Sequence, residues 1–328
     1  MISSRPILIT GSAGFVGSRM VPQIERAFPG QTVMGVSRTR KLSEKHHCFD
    51  LAEESITRAF LGRYRPKIII HLAAFASVGG AHKSPSSVWR DNRDTSFSLA
   101  RAAAATVPDA TILVSSTSEI YGNAFLGGPV NESTKPLPRG PYATSKLAGE
   151  EVFCALLSPT NRLVICRPVN HTGRGQREDF VVPSLAAQVA RIEMGLMAPT
   201  ISVGNLSAYR DFLDVSDVIS AYIALLAAHD TLPLRTVVNV ASGHSVSIRS
   251  ILDFFLRQAR CPITERVDET RMRPNDIPRV DVDTKKMLAL SSWTPSRSLE
   301  DTLMDVLTDK RESVAQPEAR YSEKRRVG

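Results

Sequence analysis

This 328-residue chain offers little material for disulfides, metals or membranes. Its four cysteines, Cys48, Cys154, Cys166 and Cys261, form no CxxC pair and no metal-ligand spacing, so they read as reduced structural thiols. The seven histidines show no HxxxH or HxxE pairing, and no metal is expected. No apolar run approaches the roughly 18 to 20 residues of a membrane span. The opening MISSRPILITGSAG has no long apolar core and no small-residue cleavage site, which predicts a cytoplasmic protein without a signal peptide. Internal repeats and low-complexity tracts are also missing. Acidic residues are outnumbered, 33 against 41 basic ones, for a net charge of +8, and such an excess raises nucleic acid as a partner. The basic residues are spread out, however, with no dense run interleaved with aromatics. An anionic small-molecule substrate and cofactor account for the excess, and no nucleic acid is expected.

What is present is a repeated pattern of buried strands. PILIT (6–10), TVMGV (32–36), KIIIHLA (67–73), ATILVSS (110–116) and RLVICR (162–167) are short and apolar throughout. Such strands suit a parallel sheet covered on both faces. Helix-compatible stretches such as SFSLARAAAA (96–105) and KLAGEEVFCALL (146–157) lie between them. The alternation predicts an α/β fold with a doubly wound parallel sheet. After about residue 168 the texture changes, and Pro, Gly, Arg and Asn become frequent. DVSDVISAYIALLAA (214–228) reads as a helix and TVVNVAS (236–242) as a late strand, both able to return to the sheet. The expected division is therefore interleaved. Residues 1–167 plus about 208–242 form the nucleotide-binding domain, and about 168–207 plus 243–310 form a smaller mixed α/β substrate domain. The polar stretch 311–328 is expected to be a flexible tail.

The first strand runs into ITGSAGFVG, where Gly11, Gly14 and Gly17 have GxxGxxG spacing. A turn that brings backbone close to a pyrophosphate needs glycine, and the helix that follows offers its free N–H groups to the phosphates. This places a dinucleotide cofactor on Gly11, Gly14, Phe15, Val16 and Gly17. Pro22, inside that helix, predicts a kink or an early break. The second strand ends VSRTRK. Ser37 stands about where an acidic residue would hold an NAD ribose, and Arg38 and Arg40 follow. A 2′-phosphate suits that cationic end, so NADP(H) is favoured over NAD(H). Asp50, in FDLAE, either binds the adenine amine or caps a turn.

PYATSK spaces Tyr142 and Lys146 four apart, on one face of a helix. A lysine cation near a phenol stabilises the phenolate and lowers its pKa. A tyrosine so tuned exchanges a proton with a carbonyl or alcohol oxygen. SSTSEIYG (115–122) supplies hydroxyls at the end of a buried strand to hold the same oxygen.

GSAGFVG, HLAA (71–74), Asn92 in RDNRDTSFSLARAA, STSEIYG, PYATSK, RPVNHTGRGQ, YRDFLDV and RPNDIP…LSSWTP together resemble the extended short-chain dehydrogenase/reductase family, over roughly residues 5 to 300. The resemblance implies a Rossmann domain with a smaller substrate domain and a nucleotide sugar bound across the two. It implies Thr117, Tyr142 and Lys146 as hydroxyl, acid/base and pKa-tuning residues, with Ser116 in reserve. It extends the cofactor site to Leu51, Leu72, Ala73, Ala74, Asn92 and Arg167, with Lys146 on the nicotinamide ribose.

The likeness is to the branch of the family that acts on GDP-mannose derivatives. It implies NADPH-dependent reduction of the C4 ketone of GDP-4-keto-6-deoxy-D-mannose, giving GDP-D-rhamnose or its 6-deoxytalose epimer. Thr117-Ser118-Glu119 also matches the triplet with which the branch's dehydratases remove the C5 proton. Glu119 as such a base, in GDP-mannose 4,6-dehydration, is the alternative, as is another nucleotide-sugar epimerase or reductase. For the substrate the resemblance implies Ser77, Thr117, Tyr142, Asn170, Val181 with Val182, Arg210, Arg273 and Asp276. Arg210 and Arg273 would take the diphosphate and Asp276 the nucleotide ribose. A homodimer through the helices near 96–105 and 146–157 is expected by analogy alone.

Overall fold

In the computed structural model, which describes residues 5–75, 85–272 and 276–316, seven strands form one parallel sheet in the order β10-β6-β5-β4-β1-β2-β3. They are β1 (Ile7–Thr10), β2 (Val33–Ser37), β3 (His46–Cys48), β4 (Ile68–His71), β5 (Thr111–Ser115), β6 (Arg162–Pro168) and β10 (Arg235–Val240). Strand order reverses beside β1, where a doubly wound sheet opens its ligand crevice.

The continuous apolar runs are explained by two faces filled at once. Ile7, Ile9, Ile68, Ile70, Leu113, Val164 and Cys166 pack in one core. Their alternating neighbours Leu8, Ile69, Ile112, Val114, Leu163 and Ile165 pack in another. A side-chain period of two then demands an apolar residue at every position. Helices cover both sides, among them Gly17–Ala27 and Val215–Ala227 on the first core and Glu54–Tyr64, Thr95–Thr106 and Gly140–Leu156 on the second.

A third core joins the helices Val181–Glu193, Ile248–Gln258 and Leu299–Ala315. Beside it lie a three-stranded sheet of β11 (Ser245–Ser247), β9 (Tyr209–Asp214) and β7 (Asn170–Thr172), and a pair of β12 (Thr264–Val267) with β8 (Thr200–Val203).

Two local expectations are corrected. Pro22 does not end the helix Gly17–Ala27, which continues for five further residues. Proline forfeits one donor, and the buried Met20 and Ile24 hold the helix on the sheet across that gap. The stretch from 311, expected to be tail, is helical through Ala315. Arg311 donates to both Glu193 oxygens, at 2.8 and 2.7 Å, and Glu312 pairs with Arg174. Polar residues here are anchors rather than solvated tail.

Gly17 is where the glycine loop tolerates least. A Cβ there would fall on the carbonyl oxygen of Gly11, backbone that cannot swing away. Gly17→Ala is expected to cost about 3 kcal/mol, the upper end for overpacking, read as a lower midpoint in urea denaturation, and to abolish dinucleotide binding.

Candidate active site

The carboxyl ends of β1 to β5 converge on one crevice. Gly11 follows β1 with φ +68°, and a Cβ on it would stand 2.8 Å from the Ala73 nitrogen. Only glycine lets the loop pass this close to the segment after β4. That segment is pinned to β1, for the Ala73 N–H donates to Thr10 Oγ1 at 3.3 Å, and Thr10 Oγ1 also bonds His71 Nδ1 at 2.9 Å. The helix Gly17–Ala27 starts from the loop with no acidic residue in its first turn, so its positive end faces the crevice unopposed. Phe15 lies parallel to His171, with ring centroids 6.4 Å apart, and the Arg19 guanidinium lies over the Phe15 ring at 4.5 Å.

Gly11, Gly14, Arg38, Asp50, Leu51, Leu72, Ala73 and Ala74, all read from the sequence as cofactor residues, line one cavity of about 250 Å³. Thr39, Phe49, Asp91 and Thr95 line it as well, and the sequence reading missed them. A dinucleotide fits these walls: glycine where a side chain would intrude, a helix N-terminus at the loop, and apolar walls with few polar groups. Ser37 lines the same cavity. Its hydroxyl donates to the Arg40 carbonyl and accepts from the Arg40 N–H at 3.3 Å, closing the turn. Asp50 accepts from the Ala52 N–H at 3.0 Å and from Arg90 at 2.6 Å, so it caps the turn and holds a cation. Asn92 lies in a π-helical turn, Arg90–Asp94, and is buried. Its amide accepts from the Phe75 N–H at 2.7 Å and donates to Ser145 at 2.8 Å, tying the segment after β4 to the Tyr142 helix.

The helix Gly140–Leu156 carries Tyr142, Lys146 and Glu150 at successive spacings of four. Thr117 bonds the Tyr142 phenol and accepts from the Glu119 N–H at 3.2 Å. Burial pushes the phenol up to about 12, against the Thr117 bond and with help from the Glu119 charge. Lys146 is itself pulled down to about 8 by burial, with Glu150 opposing. Its Nζ donates to the Ser115 carbonyl at 2.5 Å. Lys146 is buried and Tyr142 half-buried, and the loss of water disfavours the charged form of each. Glu119 is half-buried beside Tyr142, and among the described residues its carboxylate makes no hydrogen bond or ion pair.

Arg167, expected on the cofactor, belongs to a buried network. It bonds Glu150 twice, at 3.2 and 2.7 Å, and the Tyr121 hydroxyl at 3.0 Å. That hydroxyl donates to Asn239 at 2.8 Å. A buried guanidinium needs such partners, and here all three of its nitrogens are engaged within the network. Ser116, the reserve hydroxyl, donates to Glu150 in the same network. Glu150 was legible at spacing i+4 from Lys146 and was missed.

Beside the third core, Arg210 on β9 and Asp276, read separately as diphosphate and ribose ligands, bond each other at 2.6 Å. Arg210 also donates to the Ile277 and Tyr209 carbonyls at 2.8 Å. Asn170 donates weakly to the Asp211 carbonyl at 3.5 Å. Val181 is exposed at the start of its helix, whereas Val182 is core and unavailable to a nucleobase. Ser77 and Arg273 lie outside the described residues.

With this geometry in place, the comparisons with known proteins can be read. The NAD dependent epimerase/dehydratase family model matches residues 7–241. The chain belongs to that family. It is 32% identical over 306 residues to the GDP-6-deoxy-D-mannose reductase of Pseudomonas aeruginosa, covering 92% of this chain and 96% of the relative. It is 26% identical to the GDP-6-deoxy-D-talose 4-dehydrogenase of Aggregatibacter actinomycetemcomitans, covering 86% and 90%. The structure of RMD from Pseudomonas aeruginosa complexed with NADPH superposes with a TM-score of 0.79 at 31% identity, over 94% of this chain and 99% of that one.

Breaking the Glu150–Arg167 pair leaves a buried, unpaired guanidinium. Glu150→Ala should therefore lose about 3–5 kcal/mol of stability, measured by urea denaturation, whereas a surface pair such as Arg249–Glu265 should contribute less than about 1 kcal/mol.

Proposed function

We propose that the protein reduces the C4 ketone of GDP-4-keto-6-deoxy-D-mannose with NADPH. The observation that carries this is the near full-length match to GDP-6-deoxy-D-mannose reductase, joined to Thr117, Tyr142 and Lys146 meeting at the end of β5. Bound NADPH would supply the hydride. Tyr142 keeps its proton far above neutral pH and delivers it to the C4 oxygen as the alkoxide forms. Thr117 orients that oxygen, and the Lys146 cation stabilises the phenolate left behind. Gly11, Gly14, Phe15, Val16, Gly17, Leu51, Leu72, Ala73 and Ala74 shape the cofactor cleft, and Arg38 favours the phosphorylated cofactor. Arg210, Asp276 and Asn170 are assigned to the GDP-sugar. A cytoplasmic homodimer is part of the same reading, supported by Phe97, which is exposed on Thr95–Thr106. No described helix is long and apolar enough to cross a membrane.

One observation favours a second reading. The Glu119 carboxylate, unpaired and electrostatically close to Tyr142, suits a base that takes the C5 proton of GDP-mannose. A paired assay separates the two. Loss of nicotinamide absorbance with the keto-sugar and NADPH is expected, with none of the 4-keto sugar formed from GDP-mannose and NADP⁺. Turnover in the second arm, abolished by Glu119→Gln, makes the protein a dehydratase instead. In the reductase, Tyr142→Phe should lower kcat by about 10²- to 10⁴-fold, and Glu119→Gln should leave it nearly unchanged.

The pH profile follows from Lys146. The working form is the cation, present below about 8 and lost above it, whereas Tyr142 keeps its proton throughout that range. The reductive kcat/KM should be level below pH 8 and fall above it. Lys146→Arg, which cannot lose its charge there, should lack that alkaline limb.

A further inference from the structure

Three charged side chains line the cavity beyond the glycine loop: Arg38 after β2, Asp50 after β3, and Asp91 in the π-helical turn. Arg90 joins them through its 2.6 Å bond to Asp50. Arg38 is held by Asp91 as a two-toothed pair, with Nη1 to Oδ1 at 2.6 Å and Nη2 to Oδ2 at 3.2 Å. The rim therefore carries two cations and two anions, with no net charge, although the chain as a whole is strongly basic. The two partners are not equally free. The Arg38 side chain is 50% exposed and that of Asp91 only 17%. The backbone of Asp91 is fixed as well. Thr95 donates to its carbonyl at 2.8 Å, and Ser96 does the same for Asn92 at 2.6 Å, so hydroxyls serve the carbonyls of the loosened turn.

We propose that Asp91 limits the selectivity for a 2′-phosphorylated cofactor by competing with the phosphate for Arg38. This rests on the NADP(H) reading above. A phosphate bearing nearly two negative charges must share the Arg38 fork with a carboxylate that has little freedom to leave. Like charges brought together in this way repel. A 2′-hydroxyl is neutral and a donor, and it meets no such repulsion. The wild-type protein then accepts NADPH and NADH with affinities far closer than an unopposed arginine would give.

Binding tests this without any sugar. NADPH and NADH are titrated separately by nicotinamide fluorescence into the full chain, as wild type, Asp91→Asn, Arg38→Ala and the double variant, with thermal melts confirming the fold. Asp91→Asn is expected to tighten NADPH by about tenfold, in a salt-dependent manner, and to leave NADH almost unmoved. In the Arg38→Ala background the same change should gain much less, because Asp91 acts through Arg38. An unchanged NADPH-to-NADH ratio in Asp91→Asn, with NADPH still the tighter ligand, overturns the proposal and leaves the NADP(H) reading standing. Equal weakening of both cofactors, the mark of a merely structural residue, also overturns it. A wild type that prefers NADH but turns toward NADPH in Asp91→Asn supports the proposal and overturns the NADP(H) preference instead.

Discussion

A parallel sheet with apolar side chains on both faces leaves polar chemistry almost nowhere to go except its ends. Seven strands run in one direction here, and both faces are sealed by separate cores. What faces the crevice at this sheet is therefore gathered at its carboxyl edge: the Gly11 backbone after β1, Arg38 after β2, Asp50 after β3, the Ala73 backbone after β4 and Thr117 after β5. The same constraint fixes the reach of each group. Lys146 and Tyr142 arrive from a helix on one face, and Lys146 is fixed to the last residue of β5 through the Ser115 carbonyl. The site is a consequence of the sheet's direction before it is a set of reactive groups.

Burial then decides how those groups ionise. A half-buried phenol and a buried ammonium each shift toward the neutral form, which keeps a proton on Tyr142 and loosens the one on Lys146. Glu150 opposes the second effect from one helical turn away, but its own charge is balanced by Arg167. The buried network thus sets how much negative potential Lys146 feels. Structural and catalytic electrostatics are continuous along one helix face.

How much of this could be read from residues alone depended on the range of the interaction. The strands, the glycine loop and the Tyr142–Lys146 pair are local patterns, set by periods of two and of nearly four or by backbone demands of single glycines. They were legible. Arg38–Asp91, Arg210–Asp276 and Arg167–Glu150 join residues 53, 66 and 17 apart in sequence. No periodicity links such partners. An arginine inside a family-like motif therefore reads as a ligand contact when a carboxylate already holds it. Arg311 is the converse case, since its polar neighbourhood reads as tail although its partner Glu193 lies 118 residues away in sequence.

These arginines do not all mean the same thing for a ligand. Arg167 is sealed in with Glu150, its partner is equally buried, and nothing that enters the cleft can exchange with it. Arg210 is nearly as buried, and Asp276 beside it is no more exposed than Asp91, so a polyanion arriving there would meet a guanidinium already oriented by two carbonyls. Arg38 is the most open of the three. Along this series the carboxylate changes from a structural necessity, through an orienting partner, to a competitor. An ion pair near a phosphate site is then neither evidence for the site nor against it until the exposure of the cation is known, because exposure is what lets a ligand take the carboxylate's place.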